Sequence, residues 1–199
     1  MRLRFTLFIP LVFLLFSNQS CTTLKDTKKQ PSVAKVLMVP PGLLQFEAES
    51  LSYKAMGGFH RWQFTKLNIP NAKKNDLEGV TATIEIDMAS VYERTIRLTN
   101  DLKSEKYLDC SGHPRAFVEV FNVRKLSADT YICEMTLTMK GFSKTFYSEF
   151  KVTSLEPFHI NGYADVLRSD FNIQEGELGI PNDIHIVYDT DLAYTKPEM

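Results

Sequence analysis

From Leu43 onward, apolar and polar residues alternate with a period of two. Thr81–Met88 sets Ala82, Ile84, Ile86 and Met88 on one side and Thr81, Thr83, Glu85 and Asp87 on the other. Tyr131–Met139 repeats this, with Tyr131, Cys133, Met135, Leu137 and Met139 opposite Ile132, Glu134, Thr136 and Thr138. Asp183–Tyr188 alternates Ile184, Ile186 and Tyr188 with Asp183, His185 and Val187. Such alternation belongs to antiparallel strands with one oily and one wet face. Further runs rich in aromatic and β-branched residues are Gln45–Tyr53, Phe59–Leu67, Ala116–Val123, Thr145–Val152 and Ile160–Val166. Together they predict about eight strands, punctuated by Gly57-Gly58, Gly112-His113-Pro114, Gly141 and Glu156-Pro157. Lys140-Gly141-Phe142-Ser143 reads as a tight hairpin. Ser90–Asp109 breaks the pattern, and its Val91, Ile96, Leu98, Leu102 and Leu108 predict a short helix packed over one end of the sheet.

About eight antiparallel strands must dispose of their edges. Closure into a barrel removes them and leaves an interior wide enough for side chains or one slender ligand. The expected class is therefore all-β, an antiparallel barrel of about eight strands with a short helix near one end. A β-sandwich is the competing architecture. An outer-membrane barrel fits less well, because the outward positions are polar and lack aromatic girdles.

The first residues follow different rules. Arg2 and Arg4 precede Phe5–Phe16, an almost unbroken apolar run. It is too short for a stable transmembrane helix, which needs about 20 residues, and reads as the core of a secretory signal. Ser17-Asn18-Gln19-Ser20-Cys21 follows, where a cysteine after a small residue resembles a bacterial lipoprotein cleavage site. Asn18 stands where Leu is usual in that signal, and an ordinary signal peptide cut nearby is the alternative. The chain thus divides into a signal peptide (1–20), a lipidated N-terminus with a flexible tether (21–42) and a folded domain (43–195). The expected location is the periplasm or cell envelope, with the membrane engaged through Cys21.

Composition narrows the function. Of 199 residues, 44% are hydrophobic and 12% aromatic, with 23 Lys+Arg against 24 Asp+Glu. A net charge of -1 gives no basic excess to grip phosphates, so no nucleic-acid partner is expected. His60, His113, His159 and His185 are scattered, with no HExxH or H-x-H spacing, so no metal ligand set and no cofactor is read here. No G-x-S-x-G, P-loop or GxGxxG is present, and Gly57-Gly58 reads as a turn. Glu85 and Asp87 share a strand face that is expected to be solvent-side, and no catalytic residue is assigned. Besides Cys21 there are Cys110 and Cys133; Cys133 reads as a small core hydrophobe, and pairing of the two is left open.

Four segments carry a resemblance to a known family. Leu137-Thr138-Met139-Lys140-Gly141-Phe142-Ser143-Lys144 resembles the "L-T-x-x-G-x-T/S-K" hairpin of the YceI-like family, and Arg168-Ser169-Asp170-Phe171-Asn172-Ile173 its "R-S-D-F-G-I" segment. Leu102-Lys103-Ser104 with Tyr107-Leu108-Asp109, Pro114 and Phe117 resembles its "H-L-x-S-x-x-F-F-D … P-x-x-x-F" region. Gly57-Gly58-Phe59 with Phe64 resembles its "G-x-F" element. Two departures stand out. Leu98-Thr99-Asn100-Asp101 replaces the usual R-D-x-H, and Asn172 replaces a Gly, although Asn tolerates positive φ better than most residues.

The resemblance implies a secreted lipocalin-like barrel without a catalytic centre, holding a polyisoprenoid or isoprenoid-quinone-type lipid. Such barrels can also pair into homodimers. The expected lipid-contacting set is Phe59, Trp62, Phe64, Phe117, Phe121, Met135, Leu137, Phe146, Phe150, Ile184 and Ile186. Strict parity over 59–64 puts Phe59 opposite Trp62 and Phe64 unless a bulge intervenes. Arg168 and Asp170, two apart, are expected on one strand face, as a polar mouth or as an ion pair fixing the barrel end. Lys140 and Lys144 are expected in solvent. A surface lipoprotein of structural or adhesive role, with no lumen ligand, is the alternative function.

Overall fold

In the computed structural model, the residues described are 42–49, 54–174 and 180–192. The signal segment, Cys21 and the tether up to residue 41 lie outside them, as do residues 193–195 of the expected domain, whereas Gly42, assigned to the tether from sequence, begins the first strand. The elements are β1 (Gly42–Glu49), β2 (Lys54–Phe59), β3 (Trp62–Asn68), β4 (Thr81–Asp87), β5 (Val91–Glu93), α1 (Ile96–Lys103), β6 (Arg115–Lys125), β7 (Thr130–Met139), β8 (Phe142–Leu155), β9 (Phe158–Leu167) and β10 (Asp183–Asp191). Short 3-10 turns fall at Met88–Ser90 and Arg168–Phe171. All strand pairs are antiparallel, in the order β3-β4-β6-β7-β8-β9-β10-β1-β2-β5.

That order forces the sheet to curl. β3 and β2 stand eight strand spacings apart, roughly 38 Å on a flat sheet at ~4.8 Å each. Yet only His60 and Arg61 separate Phe59 from Trp62 in the chain, a reach of no more than about 11 Å. The far edges must therefore approach each other. β2–β3 and β4–β5 are two long strands, each bent once, that form one hairpin joining both edges. Its corner is held by His60 N–H donating to the Ser90 carbonyl (3.2 Å), Arg61 N–H to Ser90 Oγ (3.0 Å) and Asp87 N–H to the Arg61 carbonyl (3.0 Å). Arg61 also pairs with the Asp87 carboxylate (2.8 Å), which accepts the Ala89 N–H as well (3.0 Å).

The bends explain why ten strands replace the expected eight. The corner at His60-Arg61 also turns Phe59, Trp62 and Phe64 to the same interior. Gly57-Gly58 is not a turn but lies in the middle of β2. A Cβ on Gly57 would sit 2.5 Å from the Phe46 ring and 2.3 Å from the Tyr92 carbonyl oxygen, so the missing side chain makes room for Phe46. The expected hairpin is present as a two-residue loop with Met139 opposite Phe142. Lys140 (φ 53°) and Gly141 (φ 81°) both take the left-handed conformation that matches strand twist. Asn172 occupies the same region (φ 52°) where it ends the Arg168–Phe171 turn.

The helix predicted within Ser90–Asp109 is α1, started by Thr95, whose side chain accepts the Leu98 N–H (3.2 Å). One end of the curled sheet carries α1 and the segment to Pro114. The other is closed by Asn68–Val80, whose Leu77 is 1% exposed. Cys110 and Cys133 are both free thiols in separate apolar clusters, and Cys133 is a core residue beside Tyr131 and Phe150.

Polar pairs cross-link the strands on the outer face. Arg115 pairs with Glu85 (2.7 Å) and Asp87 (3.3 Å), and Thr136 meets Thr145 hydroxyl to hydroxyl (2.7 Å). His159 on β9 is clasped by Asp191 (2.6 Å) and Asp189 (2.8 Å) on β10. The hydrogen bond to Asp191 raises its pKa first, partial burial opposes, and Asp189 adds to the rise. A raised folded-state pKa means that the stabilisation is complete below the unfolded value, about 6.5. It is lost as pH climbs through the folded value. His159→Gln is therefore expected to cost a few tenths to about 1 kcal/mol in mildly acidic buffer. The deficit should vanish at alkaline pH in urea unfolding; one that grows with pH would contradict the assignment.

Candidate functional site

Among the described residues, the inward faces line an elongated cavity of about 230 Å³, far above the ~10–15 Å³ that one water needs. It runs from Leu77, Val80 and Leu192 at the closed end to Leu102, Tyr107 and Ile180 under α1. Strand parity builds its wall. β4 contributes Ala82, Ile84 and Ile86, and β6 contributes Ala116, Val118 and Val120; Leu44 and Phe46 of β1 join them. Leu98 and Leu102, four apart on α1, face the same space.

Nine of the expected lining residues sit around this cavity: Phe59, Trp62, Phe64, Met135, Leu137, Phe146, Phe150, Ile184 and Ile186. Phe117 and Phe121 do not, and their assignment to the lumen is corrected. Phe117 is 40% exposed on the outer face of β6, and Phe121 shares that face. The signal was present in the sequence: Glu119 lies between them at the same parity, and a carboxylate has no place in an oily wall. Positive φ at Asn122 then shifts the register, returning Val123 to the interior. The inner residues of β6 are smaller than its outer ones, so choosing by size selected the wrong face.

The polar groups of the interior are neutral and mostly paired. Tyr188 meets Ser148 hydroxyl to hydroxyl (2.7 Å), and Ser148 donates to the Tyr163 carbonyl (2.6 Å). Burial pushes the Tyr188 phenol well above its ordinary value and the Cys133 thiol up to about 12. Tyr131 donates to Asp76 (2.8 Å) at the closed end. That hydrogen bond is the main reason the Asp76 carboxyl lies below its usual range. None of the buried hydroxyls or thiols is an ion near neutral pH, so the lumen presents oil and no fixed charge.

Glu93, Asp101 and Arg168 stand at the α1 end of the cavity but turn no charged atom into it. Arg168 and Asp170 lie on a 3-10 turn, not on a strand, and they part company. Arg168 donates to the carbonyls of Ile173 (2.8 Å), Ile180 (3.1 Å) and Pro181 (3.1 Å), whereas Asp170 pairs with Lys144 (3.2 Å). Lys140 is likewise not simply solvated. Its ammonium donates to the Tyr107 carbonyl (2.6 Å) and to those of Glu105 and Asn172 (both 3.3 Å). The hairpin tip is thereby tied to two segments that cover this end. Sequence spacing could not reveal these cross-links, because their carbonyl partners are 32 to 35 residues away.

The histidines do not converge. His60 stacks on Tyr92 (4.1 Å), His113 faces Asp109 (3.7 Å), and His185 meets Asp165 (2.7 Å). Among the described residues no group of His, Cys, Asp and Glu is arranged to hold a metal.

A family model for the YceI-like domain matches residues 41–192. Among solved structures, Burkholderia cenocepacia BcnA superposes with a TM-score of 0.66 at 18% identity, over 74% of this chain and 94% of that one. The Campylobacter jejuni YCEI protein gives 0.57 at 16% identity, over 70% and 85%. A polyisoprenoid binding domain from Saccharophagus degradans, implicated in plant cell wall breakdown, gives 0.53 at 12%, over 76% and 94%. At these identities the likeness shows a shared fold. Among curated proteins no relative matches.

Lys140→Met keeps the stem and removes the three-carbonyl clamp. It is expected to lower unfolding stability by about 1–2 kcal/mol and to speed hydrogen exchange at 105–109 and 172–173. Unchanged exchange in those segments would show that Lys140 does not hold them.

Proposed function

Since the chain belongs to the YceI-like domain family, we propose that it is an exported binding protein that shelters an isoprenoid-type lipid inside its curled sheet. One observation carries this reading: a continuous apolar cavity reaching from Leu77 to Tyr107, walled by aromatic, aliphatic and methionine side chains. The Saccharophagus degradans neighbour, a polyisoprenoid binding domain, has the same fold. A thin hydrocarbon suits such a space, because each buried CH₂-sized group is worth about 0.8 kcal/mol and needs no polar partner. A few isoprene units offset the several kcal/mol lost on association. Met88 and Met135, both in the wall, adjust to an irregular chain through flexible, polarizable thioethers. The protein works by binding, for storage, transport or protection of the lipid, and not by catalysis.

Location follows from the N-terminus. Cys21, after a secretory apolar run, carries the lipid anchor, and the polar stretch to about Pro41 tethers the domain to the membrane. The cargo, insoluble in water, would then be received from and returned to a nearby bilayer.

Extraction of purified protein followed by mass spectrometry, or loading with an isoprenoid, is expected to yield a bound chain. Leu137→Trp fills part of the lumen. Displacing only two CH₂-sized groups forfeits about 1.6 kcal/mol, somewhat over tenfold in Kd. Tyr147→Trp, on the outer face, is expected to load normally. Equal loading of Leu137→Trp and wild type would refute the lumen as the site. Cys21→Ser is expected to abolish incorporation of an alkyne-tagged fatty acid and to move the protein from the membrane to the soluble fraction; retention in the membrane would refute the anchor.

A further inference from the structure

The lumen has a fixed floor and a thin roof. At the floor Leu77, Val80, Val123 and Leu192 line the cavity and are all buried. Leu77 is held in place there. Its N–H donates to the Tyr131 hydroxyl (3.4 Å), which donates in turn to Asp76 (2.8 Å), and the Tyr131 ring stacks on Phe150 at 5.4 Å. At the other end Leu98 and Leu102 face the same cavity from a helix none of whose residues is buried. A tail can therefore not pass Leu77, whereas α1 leaves it a way out.

The volume between these ends limits what fits. A cavity of about 150 Å³ lined by aliphatic and aromatic side chains takes up one benzene. At that ratio the 230 Å³ of this lumen holds roughly nine carbons, about two isoprene units of one chain, with no room for a second tail. The wall is apolar throughout, so a head group would find no partner inside it. We propose that the lumen is sized for a short, single-tailed isoprenoid, with about two isoprene units inside, the tail end against Leu77 and any polar head outside, past α1. This rests on the lipid-binding reading above and adds tail length and direction to it. Carbons beyond that length stay in water and contribute nothing, because the gain from burial ends where the lumen does. The charged side chains agree with this direction, since Glu93, Asp101 and Arg168 stand at the α1 end without turning a charged atom into the cavity.

Prenol, geraniol, farnesol and geranylgeraniol carry the same hydroxyl on a tail that lengthens by an isoprene unit at each step. Trp62, the only tryptophan in the chain, lines the cavity, so its emission reads the loading of purified protein stripped of bound lipid. Geraniol is expected to bind roughly a hundredfold or more tighter than prenol, the effect of burying one further isoprene unit. Farnesol and geranylgeraniol are expected to stay within about tenfold of geraniol, since their surplus carbons lie beyond the roof. In Leu77→Ala the floor recedes, and farnesol is expected to gain roughly tenfold on geraniol. The wild-type series stands by itself should that variant not fold. A Kd that keeps falling by the same factor through geranylgeraniol would overturn the proposal while leaving the lipid-binding reading intact. A series already flat from prenol onward, or a folded Leu77→Ala protein with the wild-type profile, would overturn it too. Binding of none of these alcohols would overturn both readings.

Discussion

Everything inside this molecule depends on the bent hairpin made by β2–β3 and β4–β5. A strand order that places β3 and β2 almost a full sheet apart cannot coexist with a two-residue connection unless the sheet closes on itself. Closure converts period-two alternation into an inside and an outside. The inside then has no access to water except at the ends, and its side chains, limited by the number of strands, leave a channel unfilled. The Arg61–Asp87 pair and the Ser90 contacts matter because they stabilise the corner through which this happens.

The two ends differ in how they are covered. Asn68–Val80 closes one with buried apolar side chains, and Tyr131 fastens it through Asp76. At the other, cations bind backbone carbonyls: Lys140 those of Glu105, Tyr107 and Asn172, and Arg168 those of Ile173, Ile180 and Pro181. Carbonyls of irregular segments need donors once they leave solvent, and two long cationic side chains supply several each. The covering at this end thus adds cationic clamps to the buried side chains of Tyr107, Leu108, Phe171 and Ile180.

Alternation made most of the fold legible. The inward faces of β4, β7 and β10 follow directly from Ala82–Ile86, Tyr131–Met139 and Ile184–Tyr188, and the need to dispose of strand edges pointed to a closed architecture, which the family resemblance also implied. The Lys140-Gly141 loop and the left-handed Asn172 were readable from turn chemistry. What escaped was non-local. The corner at His60-Arg61 has no breaker residue, so two strands read as one. Gly57-Gly58 signals a turn by composition, while its actual role is to admit the Phe46 ring. On β6, aromatic size outweighed parity, although Glu119 already marked the face of Phe117 and Phe121 as wet. The role of Lys140 required partners 32 to 35 residues away, which spacing cannot display, and Arg168 turned out to bind carbonyls of the loop that follows it rather than Asp170.

The pairing of β1 with β10 has a temporal consequence. On one side residues 42–47 pair with 185–190, so the cylinder stays open along that seam until β10 has been synthesised. Contacts this distant in sequence form slowly. Throughout that interval the oily faces destined for the lumen are uncovered, and a newborn chain must be shielded from its own kind until its final strand arrives.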